Sequence, residues 1–366
     1  MVDGTIVQEG QTKLLVPKDH SVGGPGKIGH SVFFNEQMAF SRDVSVMFLR
    51  TLSRGVNVAD TMAATGSRAV RIANEIPEMD VVANDVSPYA MPYIEENVKI
   101  NGLCNCTLSN KNMHSLLAED IFDYVDVDPF GSPVPFLHSA IQGCKRYGYI
   151  AITATDTATL AGAQKLKCKR RYQVEPLGGP MCHEIGIRIL LGTMAREMAK
   201  FNKGLKPILS FSADHYFRIY VQSLDGATYA DKSLDSFVYL SYNPKTLERS
   251  FSRESDKNYK YGPFWGGGLF DRECISKMSS DNMSTWRRCD KMLEIWRDEI
   301  DEVPFLYEIS EISSYLKLST PPLGKFIEKM NTYGRTTKTH ISPTAFKTVL
   351  SLKEIIDIYK ECAEGC

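Results

Sequence analysis

Four short apolar runs, each followed by a helix-length stretch, constrain this chain more than any other feature. Residues 56–59, 81–83, 124–127 and 149–152 read as strands, and residues 66–76, 87–101, 133–144 and 182–203 read as helices. Strands alternating with helices of about 10–15 residues build a parallel sheet covered on both faces. A further helix is predicted over 36–53, where Met38, Phe40, Val44, Met47, Phe48 and Leu52 recur at helical spacing. At 207–222 the rhythm breaks. Ile208-Leu209-Ser210-Phe211 and Tyr216-Phe217-Arg218-Ile219-Tyr220-Val221 stand too close for a crossover helix and can pair only as a hairpin. The predicted class is therefore α/β, with a Rossmann-like sheet that is mostly parallel and ends in an antiparallel hairpin.

A length of 366 residues suits two domains of about 100–200 residues each. The boundary is expected near 224. Residues 1–224 would form the first domain, with an N-terminal arm (1–35). Residues 225–366 would form a smaller α+β domain, entered through a connecting β segment (225–270) and carrying helices at 271–279, 284–301, 304–317 and 320–333.

Charge excludes more by its distribution than by its sum. Lys+Arg number 43 against 44 Asp+Glu, a net charge of -1 that argues against a globally basic nucleic-acid binder. Locally, residues 140–175 hold Lys145, Arg146, Lys165, Lys167, Lys169, Arg170 and Arg171 against Asp156 and Glu175. Residues 325–347 hold Lys325, Lys329, Arg335, Lys338 and Lys347 against Glu328, whereas 295–312 is acidic. Lys165, Lys167, Lys169, Arg170, Arg171, Arg335, Lys338 and Lys347 are thus candidate phosphate contacts. Nine cysteines without a C-x-x-C pair suggest neither a disulfide framework nor a zinc site, but reduced thiols in a cytoplasmic protein. The polar start and the absence of any apolar run near 20 residues predict neither a secretory signal nor a membrane span. The glycine-rich stretch from Gly23 to Gly29 lacks the spacing and the Ser/Thr of a phosphate loop and reads as a surface segment.

Ligands of open parallel sheets bind beyond the carboxyl ends of the strands, so the residues there matter most. The first strand ends at Asp60, before a turn with the single glycine Gly66; the dinucleotide fingerprint G-x-G-x-x-G is missing. Asp85 follows the second strand, 25 residues on, a spacing at which a carboxylate reaches ribose hydroxyls. The third strand is expected to end near Asn110-Lys111-Asn112 and the fourth at Asp128. Between 112 and 144 every charged residue is acidic, which suits the cationic S-adenosylmethionine and would repel a nucleotide phosphate. Asp128-Pro129-Phe130-Gly131 resembles the Asp/Asn-Pro-Pro-aromatic motif of amino-group methyltransferases. A carboxylate there accepts the hydrogens of a ring-conjugated amine, and the aromatic ring stacks on an extruded base.

Longer stretches carry a closer likeness. Phe33-Phe34-Asn35-x-x-Met38-x-x-x-Arg42-Asp43, Asp60-x-x-Ala63-x-Thr65-Gly66-x-Arg68, Asp128-Pro129-Phe130-Gly131-Ser132-Pro133, Thr153-Ala154-Thr155-Asp156-Thr157-Ala158, Arg170-Arg171-Tyr172, His183-Glu184 and Asp214-His215-Tyr216-Phe217-Arg218 together resemble the tRNA guanine-26 N2-dimethyltransferase family. The resemblance implies an S-adenosylmethionine-dependent methyltransferase domain and a C-terminal tRNA-binding domain, adding one or two methyls to the exocyclic amine of guanine 26. It implies that Arg42 pairs with the methionine carboxylate and that Asp60 and Gly66 flank the methionine. Arg68 and Val86 join the donor site, Asp85 holds the ribose, and Asn112 and Met113 border the adenine. Asp128 would receive the guanine amine, with Phe33 and Phe130 sandwiching the base. Many family members carry a four-cysteine zinc site after the Asp-His-Tyr-Phe-Arg strand. Residues 222–270 here contain no cysteine, so no metal is expected and aromatic packing is expected in its place. His340, in Thr337-Lys338-Thr339-His340, reads equally as a buried structural histidine or an RNA contact. An amino-methyltransferase of another RNA or DNA base, or a non-catalytic RNA-binding protein on the same scaffold, are the competing readings; no obligate protein partner is evident.

Overall fold

The structure is a computed structural model that describes residues 3–24, 32–52, 55–301 and 303–364. A hairpin of β1 (Thr5–Glu9) and β2 (Thr12–Val16) precedes α1 (Ala39–Leu49). There follow β3 (Asn57–Asp60), α2 (Ser67–Glu75), β4 (Asp80–Asn84), α3 (Met91–Ile100), β5 (Cys106–Ser109), α4 (Met113–Glu119) and β6 (Phe122–Val127). Then come α5 (Leu137–Gly143), β7 (Cys144–Ala154), α6 (Thr157–Leu160), α7 (Lys165–Tyr172), α8 (Cys182–Ala199), β8 (Lys203–Ala213) and β9 (Tyr216–Asp225). Seven strands form one sheet in the order β5-β4-β3-β6-β7-β9-β8. The first five in that row run parallel, and β9 lies antiparallel between β7 and β8. Both predictions, of parallel strands and of a terminal hairpin, hold.

This strand order places the site. The chain steps outward from β3 through β4 to β5, then returns to lay β6 against the other side of β3. At such a reversal the loops leaving neighbouring strands diverge and open a crevice beyond their carboxyl ends. Alternation along the strands divides the interior into two cores. Val125, Val127, Ile150, Ile152, Ile219 and Val221 face the core shared with α5 and α8. Tyr124, Ala151, Tyr216 and Tyr220 face the one shared with α1 and α2.

The second half of the chain comprises α9 (Ala227–Leu234), β10 (Phe237–Tyr242), β11 (Arg249–Ser252), β12 (Tyr261–Trp265), α10 (Arg272–Lys277) and α11 (Trp286–Asp298). It closes with β13 (Tyr307–Glu308), α12 (Ile309–Leu316), α13 (Leu323–Met330), β14 (Thr336–Lys338), β15 (Ala345–Thr348) and α14 (Leu352–Glu364). The expected boundary at 224 marks the end of β9 but does not divide the cores. Leu240, Phe264, Trp265 and Phe305 belong to the first core, and Cys289, Leu293 and Trp296 to the second. A separate core forms around Ile309, Phe326, Phe346, Ile355 and Tyr359, joined by Leu247. The helix expected at 304–317 opens instead with β13, which pairs with β15. In the segment without cysteines, Phe251 stacks on Phe305 with ring centroids 5.4 Å apart and Phe264 meets the same ring at 5.9 Å. Among the described residues no cluster of His, Cys, Asp or Glu is placed to hold a metal ion.

Candidate active site

A cavity of about 790 Å³ opens at the β3/β6 switch point, within the usual size of small-molecule sites. Asp60, Asp85 and Asp128, drawn from the ends of three strands, all line it. Asp85 is fixed by its own turn: its Oδ2 accepts from the Ala64 amide at 2.8 Å and its Oδ1 from the Ser87 amide at 2.8 Å. Asn112 caps α4 by accepting from the His114 amide, and with Met113 and the exposed Val86 it lines the same cavity. Gly66 follows the cavity wall and opens α2. It adopts a φ of 77°, and a Cβ there would come within 3.1 Å of Ile94, so it lets α3 pack closely while Ala63, Ala64 and Thr65 form the wall.

Asp60 is 2% exposed and its Oδ2 has no hydrogen-bond partner. Burial, with the neighbouring charges of Asp126, Asp128 and Asp85, pushes its carboxyl up to about 7 against the opposing pull of Arg68. Burial would raise Asp126 as well, but Arg218 and Arg68 outweigh it and hold that carboxyl below the ordinary range.

Both arginines expected to meet the donor line the cavity, and both already grip a carboxylate of the chain. Arg42 donates through Nε and Nη2 to Glu9 at 2.8 and 2.5 Å, and its guanidinium lies 4.8 Å from the centre of the Phe34 ring. Glu9 comes from the N-terminal hairpin, where the sequence pattern shows only a turn-rich arm. Arg68 donates through Nη2 to Asp128 Oδ2 at 2.6 Å. Its Nε lies 3.6 Å from Asp126 Oδ1.

The acceptor turn is tied to the end of β7: the Gly131 amide donates to Thr155 Oγ1 at 2.6 Å and the Thr155 amide to the Gly131 carbonyl at 2.9 Å. Ser132 shares a 2.9 Å hydrogen bond with the Tyr172 hydroxyl, which also donates to Asp156 at 2.7 Å. Phe130 is 56% exposed at the rim. Phe33 and Phe130 both line the cavity and meet edge to face, with centroids 4.9 Å apart and planes at 88°. Asp214, His215 and Tyr216, from the β8–β9 turn, complete the wall. The sequence marks their motif without giving it a role.

The basic residues divide. Lys165, Lys169, Arg170 and Arg171 are exposed on α7 and Lys167 is half-buried there; Lys169 pairs with Glu175, and Arg171 with Asp156 at 3.0 Å. Arg335 and Lys338 are exposed. Lys347 is not a surface residue: its side chain is fully buried, 3.0 Å from Glu299 Oε1 and 3.4 Å from Glu184 Oε1. His340 is likewise buried against Glu299 at 2.7 Å, which decides for its structural role. Lys347 sits on β15, where all four residues are buried, and charge alone does not reveal that. The β1–β2 hairpin and its Glu9 give no signal either. The stretch from Gly23 to Gly29 falls largely outside the described residues, although Gly24 lines the cavity.

Cys104, Cys106, Cys144, Cys168, Cys182, Cys274 and Cys289 are free thiols. Burial pushes Cys106, Cys144, Cys168 and Cys289 up to about 12, which makes them poor nucleophiles. No helix among the described residues is long and apolar enough to cross a membrane.

Comparison with known proteins agrees with this geometry. Residues 10–360 match the family described as N2,N2-dimethylguanosine tRNA methyltransferase. The tRNA (guanine(26)-N(2))-dimethyltransferase of Pyrococcus furiosus is 34% identical, the match covering 97% of this chain and 98% of that protein. Its Pyrococcus horikoshii counterpart is 36% identical, with 97% of each chain covered. The solved complex of Trm1 from Pyrococcus horikoshii with S-adenosyl-L-methionine superposes with a TM-score of 0.89 at 34% identity, over 97% of this chain and 99% of that one.

Proposed function

This chain belongs to the N2,N2-dimethylguanosine tRNA methyltransferase family, and from that premise we propose that its cavity transfers one or two methyl groups from S-adenosyl-L-methionine to the N2 amine of guanine 26 in tRNA. The observation that carries the assignment to residues is the meeting of Asp60, Asp85 and Asp128 in one cavity at the strand-order reversal, with the exposed Phe130 ring at its rim.

The residues fit the donor. An unpartnered, buried carboxylate oxygen on Asp60 suits a cationic ligand, and Asp85 Oδ atoms held by backbone amides suit a pair of ribose hydroxyls. The hydrogen bonds of Arg42 and Glu9 leave the Arg42 Nη1 edge for a ligand carboxylate. S-adenosyl-L-methionine, when bound, supplies a methyl already activated by its sulfonium. The protein therefore contributes alignment more than acid–base power. Asp128 uses Oδ2 for Arg68 and keeps Oδ1 for an N2 hydrogen, which localises the amine lone pair toward the methyl and offsets the positive charge that grows on nitrogen. Phe130 and Phe33 open to stack the extruded guanine. The basic face of α7, bonded to the acceptor turn through Tyr172 and Ser132, contributes phosphate contacts. The free thiols suit a cytoplasmic setting.

Labelled donor offered with an unmodified tRNA transcript and with its guanine-26-to-adenine variant, followed by digestion to nucleosides, tests the function. The expected product is N2,N2-dimethylguanosine from the first and no label in the second; label transferred to DNA instead would reject the reading. Asp128→Ala is expected to slow transfer by at least about 100-fold while donor binding persists.

A further inference from the structure

We propose that Arg68 is a positioning residue for Asp128, and that Asp126 and Arg218 set Arg68 in turn, so that the carboxylate facing the guanine amine takes its direction from strand β9. This rests on the reading of Asp128 given above. Asp128 leaves the sheet on a loop, where a short carboxylate is free to turn about two torsions; Arg68 Nη2 holds one oxygen at 2.6 Å and leaves the other for the substrate. Arg68 is 6% exposed, and its Nη1 donates to Ser45 Oγ at 2.5 Å. Its Nε lies against Asp126, whose Oδ2 accepts from Arg218 Nη2 and from the Tyr124 hydroxyl, both at 2.5 Å. Arg218 is fully buried; it donates through Nη1 to Asp126 Oδ1 at 3.0 Å and to Thr153 Oγ1 at 2.7 Å, and packs 4.7 Å from the centre of the Tyr220 ring.

Every link before the last sits on a regular element: Arg218 on β9, Thr153 on β7, Asp126 on β6 and Arg68 on α2. The chain of alternating charges thus transmits the rigidity of three strands to one loop carboxylate. A planar guanidinium does this with preorganised donors, whereas a lysine offers a point charge on a flexible stem. Misplacing a reacting group by about 1 Å costs on the order of 100-fold in rate. The alternative role for Arg68, direct contact with the donor's carboxylate, predicts a change in donor affinity rather than in transfer.

A double-mutant cycle separates them, using Arg68→Lys, Asp128→Asn and the pair, with single-turnover transfer to tRNA at saturating donor and donor Kd by equilibrium dialysis. Arg68→Lys is expected to slow transfer by about 10- to 100-fold with donor Kd within about twofold. In the pair, Arg68→Lys should add no more than about threefold to the loss from Asp128→Asn, because it acts through that carboxylate. Multiplying losses, or a tenfold rise in donor Kd at unchanged rate, would overturn the proposal. Wild-type transfer by Asp128→Asn would instead withdraw Asp128 from the mechanism, and the proposal with it. Arg218→Lys should behave as Arg68→Lys does. Should it not fold, Thr153→Val removes one hydrogen bond from Arg218 with all charges kept, and its few-fold loss should vanish in the Asp128→Asn background; a loss that persists there would count against the proposal.

Discussion

Two buried charge clusters in this molecule have nearly the same ingredients and opposite electrostatics. Where α8 meets the C-terminal elements, Glu184 pairs with Arg188 at 2.8 Å and accepts from the Phe305 and Leu306 amides at 2.8 and 2.9 Å. Lys347 bridges it to Glu299, which also holds His340 and the Thr339 hydroxyl. Burial works against both glutamates, yet Lys347 and Arg188 at the one, and His340 and Lys347 at the other, hold their carboxyls below the ordinary range. At the switch point, four carboxylates (Asp60, Asp85, Asp126 and Asp128) outnumber Arg68 and Arg218, and Asp60 is left pushed up to about 7. A closed cluster satisfies its charges from within, whereas an open one leaves a deficit for a ligand to fill. In the proposed function, the sulfonium and ammonium of the donor would supply positive charge to Asp60.

Removing the shared cation of the closed cluster gives the largest expected effect. Lys347→Met leaves Glu184 and Glu299 buried and short of charge, and should cost about 3–5 kcal/mol in urea denaturation. Both glutamates are held below their ordinary 4.5, so their contribution is present above that pH and is lost as the solution is acidified through their lowered folded-state values. The variant's stability should accordingly vary less with acidification. Its folded fraction should bind tRNA as the wild type does. Weakened tRNA binding with a stability loss under about 1 kcal/mol would return Lys347 to the RNA surface and break the contrast.

The open cluster answers with the reverse sign. Asp60 is raised from 3.8 to about 7, so the folded protein holds a proton that the unfolded chain has released, and stability falls as pH climbs between those values. Donor binding, favouring the ionised carboxylate, should tighten as pH rises to about 7 and then level off. Asp60→Asn should flatten that profile and weaken donor binding at pH 8 by about tenfold, equivalent to about one pKa unit of interaction. The same variant should melt higher relative to wild type at pH 8 than at pH 5. A wild-type donor affinity that stays flat from pH 5.5 to 8 would remove Asp60 from the donor site.

How much of this could be read from the sequence follows from where each cluster lies in it. Asp60, Asp85 and Asp128 each end an apolar run, and parallel-sheet geometry brings strand ends together whatever the loops do. Arg218 and Asp126 are 92 residues apart, and Glu9 and Arg42 are 33 apart; pairs at such separations leave no periodic trace, so their partnership emerges only from the register of β6, β7 and β9 and from the docked hairpin. Lys347 illustrates the converse. Its charge is plain, but β14 and β15 are only three and four residues long, too short to show the alternation that would turn it inward. The motifs bring Phe33 and Phe130 to the cavity, while the angle between the rings depends on side-chain packing that a motif does not encode.

The smallest expected effect belongs to charges that no carboxylate of the described chain engages. On α7, Lys169 and Arg171 already hold Glu175 and Asp156, whereas Lys165, Lys167 and Arg170 have no carboxylate partner among the described residues. A tRNA phosphate meets the second group without breaking an ion pair, so those three should carry the salt dependence of binding. Lys165→Ala, Lys167→Ala and Arg170→Ala together should raise the KM for tRNA by about tenfold at low salt, leave kcat at saturating tRNA unchanged, and reduce the log–log salt slope by about one for each phosphate no longer neutralised. Each single change should account for only a few-fold, and Lys169→Ala for less than any of them, because the lysine it removes is already half engaged by Glu175. A triple variant with an unaltered slope would take α7 off the RNA, leaving Arg335 and Lys338 as the candidates for the phosphate grip.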